Sequence, residues 1–76
     1  MKVLIYTRNN CVWCDRAKNL LTINNLEYED IDLSDDVLRE NFYKKFNHSI
    51  KTMPQIFIDD NRIGGFEALV DYLDGK

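Results

Sequence analysis

The sequence predicts an α/β fold, a four-stranded mixed sheet with helices on both faces in the order β-α-β-α-β-β-α. Three observations carry this. Short strand-like segments at 3–6, 28–33, 55–58 and 62–63 alternate with stretches of helical period at 11–23, 34–46 and 66–73. The first β-α-β unit reads as a parallel, right-handed crossover. The second helix then delivers a strand running the other way, closed by a hairpin.

In chain order, Val3-Leu4-Ile5-Tyr6 forms the first strand, and Thr7-Arg8-Asn9-Asn10 turns the chain. Ala17, Leu20 and Leu21 set the helical period that follows, with Asn10 as the expected N-cap and Asn24-Asn25 as the stop. Tyr28 to Leu33 reads as a second strand. Ser34 is the expected cap of the second helix, and Asp35 and Asp36 suit the positive end of its dipole. Leu38, Phe42 and Phe46 form its buried stripe. A loop follows from Asn47 to Lys51. Gln55 to Ile58 is a strand, Asp59-Asp60-Asn61 a tight turn, and Arg62-Ile63 a short return strand ended by Gly64-Gly65. A last helix runs from Phe66 to Leu73, with Phe66, Leu69, Val70 and Leu73 facing inward.

Length and composition fit a single domain over residues 1–76, with 45% hydrophobic residues for a modest core. A net charge of −3 argues against nucleic acid or an anionic membrane as partner. Lys2 and one short apolar run do not make a signal peptide or a membrane span. The expected setting is therefore a reducing cytoplasm, where C-x-x-C disulfides are transient and catalytic.

The chemistry centres on Cys11-Val12-Trp13-Cys14, between the first strand and the first helix. At a helix N-terminus, unpaired backbone N–H groups and the dipole stabilise an anion, and the thiolate is the reactive form of cysteine. Cys11 is thus the expected attacking sulfur, titrating below the free-thiol value of about 8.5, with Asp15 limiting the shift. Cys14 lies one turn deeper and resolves the mixed disulfide. A structural zinc site wants four ligands, and two cysteines with His48 far along in a loop do not supply them.

Three segments together resemble the glutaredoxin family of the thioredoxin fold. They are Ile5-Tyr6-Thr7-Arg8 before the cysteines, Thr52-Met53-Pro54-Gln55-Ile56-Phe57-Ile58, and Ile63-Gly64-Gly65-Phe66-Glu67. In size and in its T-M-P-Q and G-G-F pieces the chain is similar to the short dithiol glutaredoxins of large bacteriophages. It departs from the family's common C-P-Y-C, having C-V-W-C, and carries Ala68 at a position usually acidic. Y-T-R-N-N-C-V-x-C also resembles small redoxins that serve ribonucleotide reductase and are reduced by thioredoxin reductase.

The resemblance implies glutathione as co-substrate, with no metal and no other cofactor. It implies a cis Met53–Pro54 bond facing the cysteines, with the Met53 backbone pairing with the glutathione strand and Thr52 beside it. Gly65 and Phe66 open the last helix, whose N–H groups would hold a γ-glutamyl carboxylate. Glu67 meets the ligand's amino group or serves only as a first-turn charge, and Trp13 forms an apolar rim where the family has Tyr or Phe. Arg8 is a surface cation, or it stabilises the thiolate or meets a glutathione carboxylate. Lys51 is a solvated loop lysine or a partner for the glycyl carboxylate, and Arg39 is a further candidate. The implied activity is reduction of protein disulfides and glutathione-mixed disulfides by a monomer, ribonucleotide reductase among its acceptors. Reduction by thioredoxin reductase and carriage of a glutathione-ligated [2Fe–2S] cluster stay open as alternatives.

Overall fold

The computed structural model describes residues 1–75. Strand β1 (Val3–Thr7) leads into helix α1 (Val12–Ile23), then β2 (Glu29–Asp32), α2 (Asp36–Lys45), β3 (Gln55–Ile58), β4 (Asn61–Gly64) and α3 (Phe66–Asp74). The predicted element order is the observed one. The sheet order is β2-β1-β3-β4, with β1 parallel to β2 and antiparallel to β3. The strand alternation of β1 and β3 divides the core between two faces. Val3, Ile5, Ile56 and Ile58 point to the face covered by Ala17 and Leu21 of α1 and Leu69 of α3. Tyr6 and Phe57 point to the other, where Phe42 of α2 packs with Leu33 and Ile50.

The second core is aromatic. Phe42 lies 4.6 Å from Tyr6 and 5.2 Å from Phe46, and Tyr6 lies 5.4 Å from Phe57, centroid to centroid. Tilted and edge-on pairs of this kind add about 0.5–1.5 kcal/mol beyond burial. Leu38 does not join them. It is 53% exposed, so the buried stripe on α2 is Phe42 and Phe46 without it. Leu38 sits in the first turn of α2, where its N–H donates to the Asp35 cap, and its side chain stays outside the aromatic cluster.

Element boundaries differ from expectation where side chains found better partners. Asn10 adopts a left-handed φ of 53°, which an N-cap does not, and Cys11, with φ −120° and ψ 99°, caps α1 instead. Ser34 is not the cap of α2, because its hydroxyl donates to Asp32 at 2.5 Å; Asp35 caps, accepting from the Val37 and Leu38 N–H groups. Strand β2 is shorter than the predicted 28–33, though the Leu33 N–H still donates to Thr7 O at 2.7 Å. The hairpin turn is only Asp59-Asp60, both with positive φ, so Asn61 already pairs with Ile58 and Gly64 is still in strand.

The Leu38 result has a direct test. Phe42→Ala should lower unfolding free energy in urea by about 3–5 kcal/mol, whereas Leu38→Ala should stay within about 0.5 kcal/mol of the parent. Equal losses at the two positions would put Leu38 back in the core.

Candidate active site

The two cysteines sit where β1 hands over to α1, joined as a disulfide with Cα atoms 5.2 Å apart. Their environments are unequal. Cys14 is 1% exposed and belongs to the buried face of α1, whereas Cys11 is only partly covered. An incoming sulfur can therefore reach Cys11 and not Cys14. Because Cys11 is the cap residue, its Sγ takes the place an N-cap oxygen usually fills and accepts the Cys14 N–H at 3.1 Å. After reduction the same N–H, with the helix dipole behind it, is placed to stabilise a thiolate there.

Strand pairing brings a second segment to this sulfur. Tyr6 near the end of β1 pairs with Gln55 at the start of β3, so the residues before β3 lie beside those after β1. The Met53–Pro54 peptide is cis, as the resemblance implied, and Cys11 Sγ lies 3.8 Å from Met53 O. Trp13, Thr52, Met53, Pro54, Gly65, Phe66 and Glu67, all named from the sequence, line one groove of about 280 Å³. Ala68 completes its wall. It was named from the sequence only as a departure from the family pattern, and it lies against Gly64, whose φ is +123° and whose added Cβ would come within 3.0 Å of Ala68 Cβ.

Gly65 is the cap residue of α3 and offers no side-chain acceptor, which leaves first-turn N–H groups open on the groove side. Gly65 itself passes close to Pro54, whose carbonyl oxygen would lie 3.4 Å from an added Cβ. The opposite wall is aromatic. Trp13, half exposed, lies 5.3 Å from Phe66, and the Arg16 guanidinium stacks 4.7 Å over the Trp13 ring. Arg16 was missed from the sequence; its signal was the i, i+3 spacing to Trp13 on α1.

The basic candidates fall elsewhere. Arg8 lines a separate polar recess together with Cys11, Asp15, Lys18, Asp30 and Asp32. It is near the sulfur but outside the groove. Lys51 is exposed and lines neither cavity. Arg39 is committed to the fold, donating to the Leu33 and Ser34 carbonyls at 3.1 Å and pairing with Asp36. His48 is exposed and lies 3.6 Å from Glu40.

Beneath the recess a polar network braces the cysteine turn. Thr7 donates to Asp30 at 2.6 Å, and Lys18 reaches the other Asp30 oxygen at 3.2 Å. That hydrogen bond is the main reason the Lys18 pKa is raised, against the opposing effect of burial. The Asn9 N–H donates to Ser34 Oγ at 2.8 Å. Ser34 in turn bonds Asp32 through hydroxyl and N–H, which holds that carboxyl below its usual range.

Known proteins share this arrangement. The glutaredoxin family model matches residues 3–63. Glutaredoxin 1 of Rickettsia conorii is 42% identical over 71 residues, spanning 91% of this chain and 69% of that protein. The glutaredoxin of Haemophilus influenzae is 37% identical over 79 residues, spanning 92% of this chain and 91% of that one. The crystal structure of glutaredoxin 1 from Francisella tularensis complexed with cacodylate superposes with a TM-score of 0.88 at 42% identity, covering 97% of this chain and 93% of that one. Sequence, fold and an unequal cysteine pair at a helix N-terminus lead to one assignment: the chain belongs to the glutaredoxin family and is a thiol–disulfide oxidoreductase.

Proposed function

We propose that glutathione is the reductant and that the groove beside Cys11 is its binding site. The observation that carries this is the placement of the Met53 backbone carbonyl 3.8 Å from the Cys11 sulfur, across the groove from a helix start at Gly65-Phe66-Glu67 that has no side-chain cap. Glutathione is a short peptide with a cysteine in the middle and a carboxylate at either end. Its backbone pairs with Met53, its γ-glutamyl carboxylate takes the open α3 N–H groups, and its sulfur then faces Cys11. Thr52 and Pro54 shape the edge, Trp13 and Phe66 cover the apolar part, and Glu67 meets the ligand's amino group. Arg16, stacked on Trp13, adds positive charge to the rim that Lys51 was expected to supply.

The cycle uses no other cofactor. Cys11 thiolate attacks a substrate disulfide, forming a mixed disulfide and releasing one substrate sulfur as thiolate. With a protein substrate, Cys14 attacks Cys11 Sγ; the substrate's second sulfur leaves and the Cys11–Cys14 disulfide forms. One glutathione thiolate opens that disulfide at Cys11, leaving Cys14 reduced. A second attacks the glutathione sulfur, giving oxidised glutathione and free Cys11. We place this monomer in the cytoplasm, acting on disulfide-bearing proteins, with ribonucleotide reductase as one candidate acceptor.

Alkylation by iodoacetamide tests the sulfur roles. The rate at Cys11 should remain high well below the free-thiol midpoint of about 8.5, with Asp15 keeping the shift moderate. A midpoint at the free-thiol value would remove the helix N-terminus from the account. Cys14→Ser should keep turnover of glutathione-mixed disulfides and lose that of protein disulfides needing internal resolution, while Cys11→Ser should lose both.

The donor is settled by a coupled assay. Turnover should proceed with glutathione and glutathione reductase, and hardly at all with thioredoxin reductase. Glu67→Ala should raise KM for glutathione about threefold to tenfold while leaving kcat alone, since it removes binding shared by ground and transition states. Efficient turnover with thioredoxin reductase and none with glutathione would overturn the donor and leave the dithiol chemistry standing.

A further inference from the structure

Gln55 is an unusual residue to find at the start of a core strand. It is 3% exposed, and the strand continues into the buried Ile56 and Ile58. A buried amide is costly unless each polar atom has a partner, and an apolar side chain would fill the space without that demand. Here each atom is used. Gln55 Nε2 donates to Thr52 O at 3.1 Å and to Thr52 Oγ1 at 3.2 Å, and Gln55 Oε1 accepts from Arg62 Nη1 at 3.2 Å. Arg62 can only donate, so the atom it meets is the oxygen, and this turns the nitrogen toward Thr52.

The consequence lies one bond further on. The Thr52–Met53 peptide is trans, the cis bond being the next one. In a planar trans peptide the C=O and the following N–H point in opposite directions. Fixing Thr52 O against the buried Gln55 therefore turns the Met53 N–H away from the protein interior. Among the described residues nothing accepts from that N–H. Both Thr52 and Met53 line the groove, and Met53 O is already beside Cys11.

We propose that Gln55 is a positioning residue for the peptide substrate. Its amide holds the Thr52 carbonyl, so that the Met53 N–H is presented to the backbone of a ligand in the groove, and Arg62 reaches across from β4 to lock the amide's orientation. Gln55 touches no substrate atom and acts through the one peptide plane between them. The inference rests on the glutathione reading above and deepens it, by naming the group that makes the Met53 edge a ready acceptor of a peptide strand.

The test compares Gln55→Met, Gln55→Glu and Arg62→Met with the parent chain in glutathione turnover of a glutathione-mixed disulfide, alongside iodoacetamide alkylation of reduced Cys11. Gln55→Met and Gln55→Glu both remove the donor to Thr52, and each should raise KM for glutathione about tenfold, in the range for an unpaired buried group. The kcat and the Cys11 alkylation rate should not change. Arg62→Met should give a smaller rise of about threefold, because the amide keeps its bonds to Thr52 but loses its lock. A merely structural Gln55 would lower the melting temperature and leave KM within twofold of the parent, and that result overturns the inference. If Gln55→Met does not fold, Arg62→Met decides, since Arg62 is exposed on an edge strand; an unchanged KM there is equally fatal. A parent chain that fails to turn over glutathione overturns the glutathione reading and this inference together, whereas normal parent turnover with unchanged variants overturns only the latter.

Discussion

The pairing of β1 with β3 is the constraint on which the site depends. Because the two strands run antiparallel in the register Tyr6↔Gln55, the chain leaving β1 and the chain entering β3 meet at one end of the sheet. The first carries Cys11 and the second carries Met53-Pro54. Neither segment has much local preference for its shape, and each is held by what flanks it. Ile5 and Ile56, directly opposed in this register, are both fully buried. A one-residue slip would send each to the opposite face and separate the sulfur from the backbone edge. Core packing and substrate geometry are thus set by the same alignment.

The cysteine pair gains its asymmetry from the same framework. Helix α1 buries Cys14, Ala17 and Leu21 along one stripe, the last two packing against the sheet. The residue three positions before Cys14 then falls at the helix boundary, where the stripe meets solvent. Cys11 is exposed because it is a cap residue, and it is electrostatically favoured for the same reason: the N–H groups that a helix interior would use are free at its first turn. Exposure and thiolate stabilisation are two consequences of one position. Spacing of three residues suffices for both disulfide reach and a division between attacking and resolving sulfurs.

What the sequence made legible follows from how local each signal is. Alternation and helical period are properties of neighbouring residues, and the element order read from them is the order observed. The groove residues were legible because short segments each carry a pattern, and seven of the ten candidate binding residues line one cavity, Arg8, Arg39 and Lys51 being the exceptions. Arg8 and Lys51 illustrate what was not legible. A cation adjacent in sequence to a site residue need not face the same cavity, and Arg8 lines the polar recess with Cys11 and Asp15 while the groove is walled by other segments. Leu38 was misread because a period of four within α2 marks a face of the helix and not how far along it the packing partners reach. Competition among caps was also invisible: Ser34 and Asp35 are both good N-cap residues, and only Asp32, two positions earlier, draws Ser34 away.

The departures from the family pattern have a common physical basis at the groove. Trp13 is larger than the Tyr or Phe usual at its position, and it is accommodated between Phe66 on one side and the Arg16 guanidinium on the other. Such stacking on an exposed ring is worth about 0.5–1 kcal/mol, enough to bias the indole toward the groove wall over free solution. Ala68, on the opposite wall, is smaller than the acidic residue usual at its position, and it lies against Gly64, whose φ of +123° suits glycine. One wall carries the larger ring with a cation stacked on it, while the other is small and lacks an acid at 68. The balance shifts the groove toward apolar and cationic contacts, which suits a peptide ligand carrying two carboxylates and a central thiol.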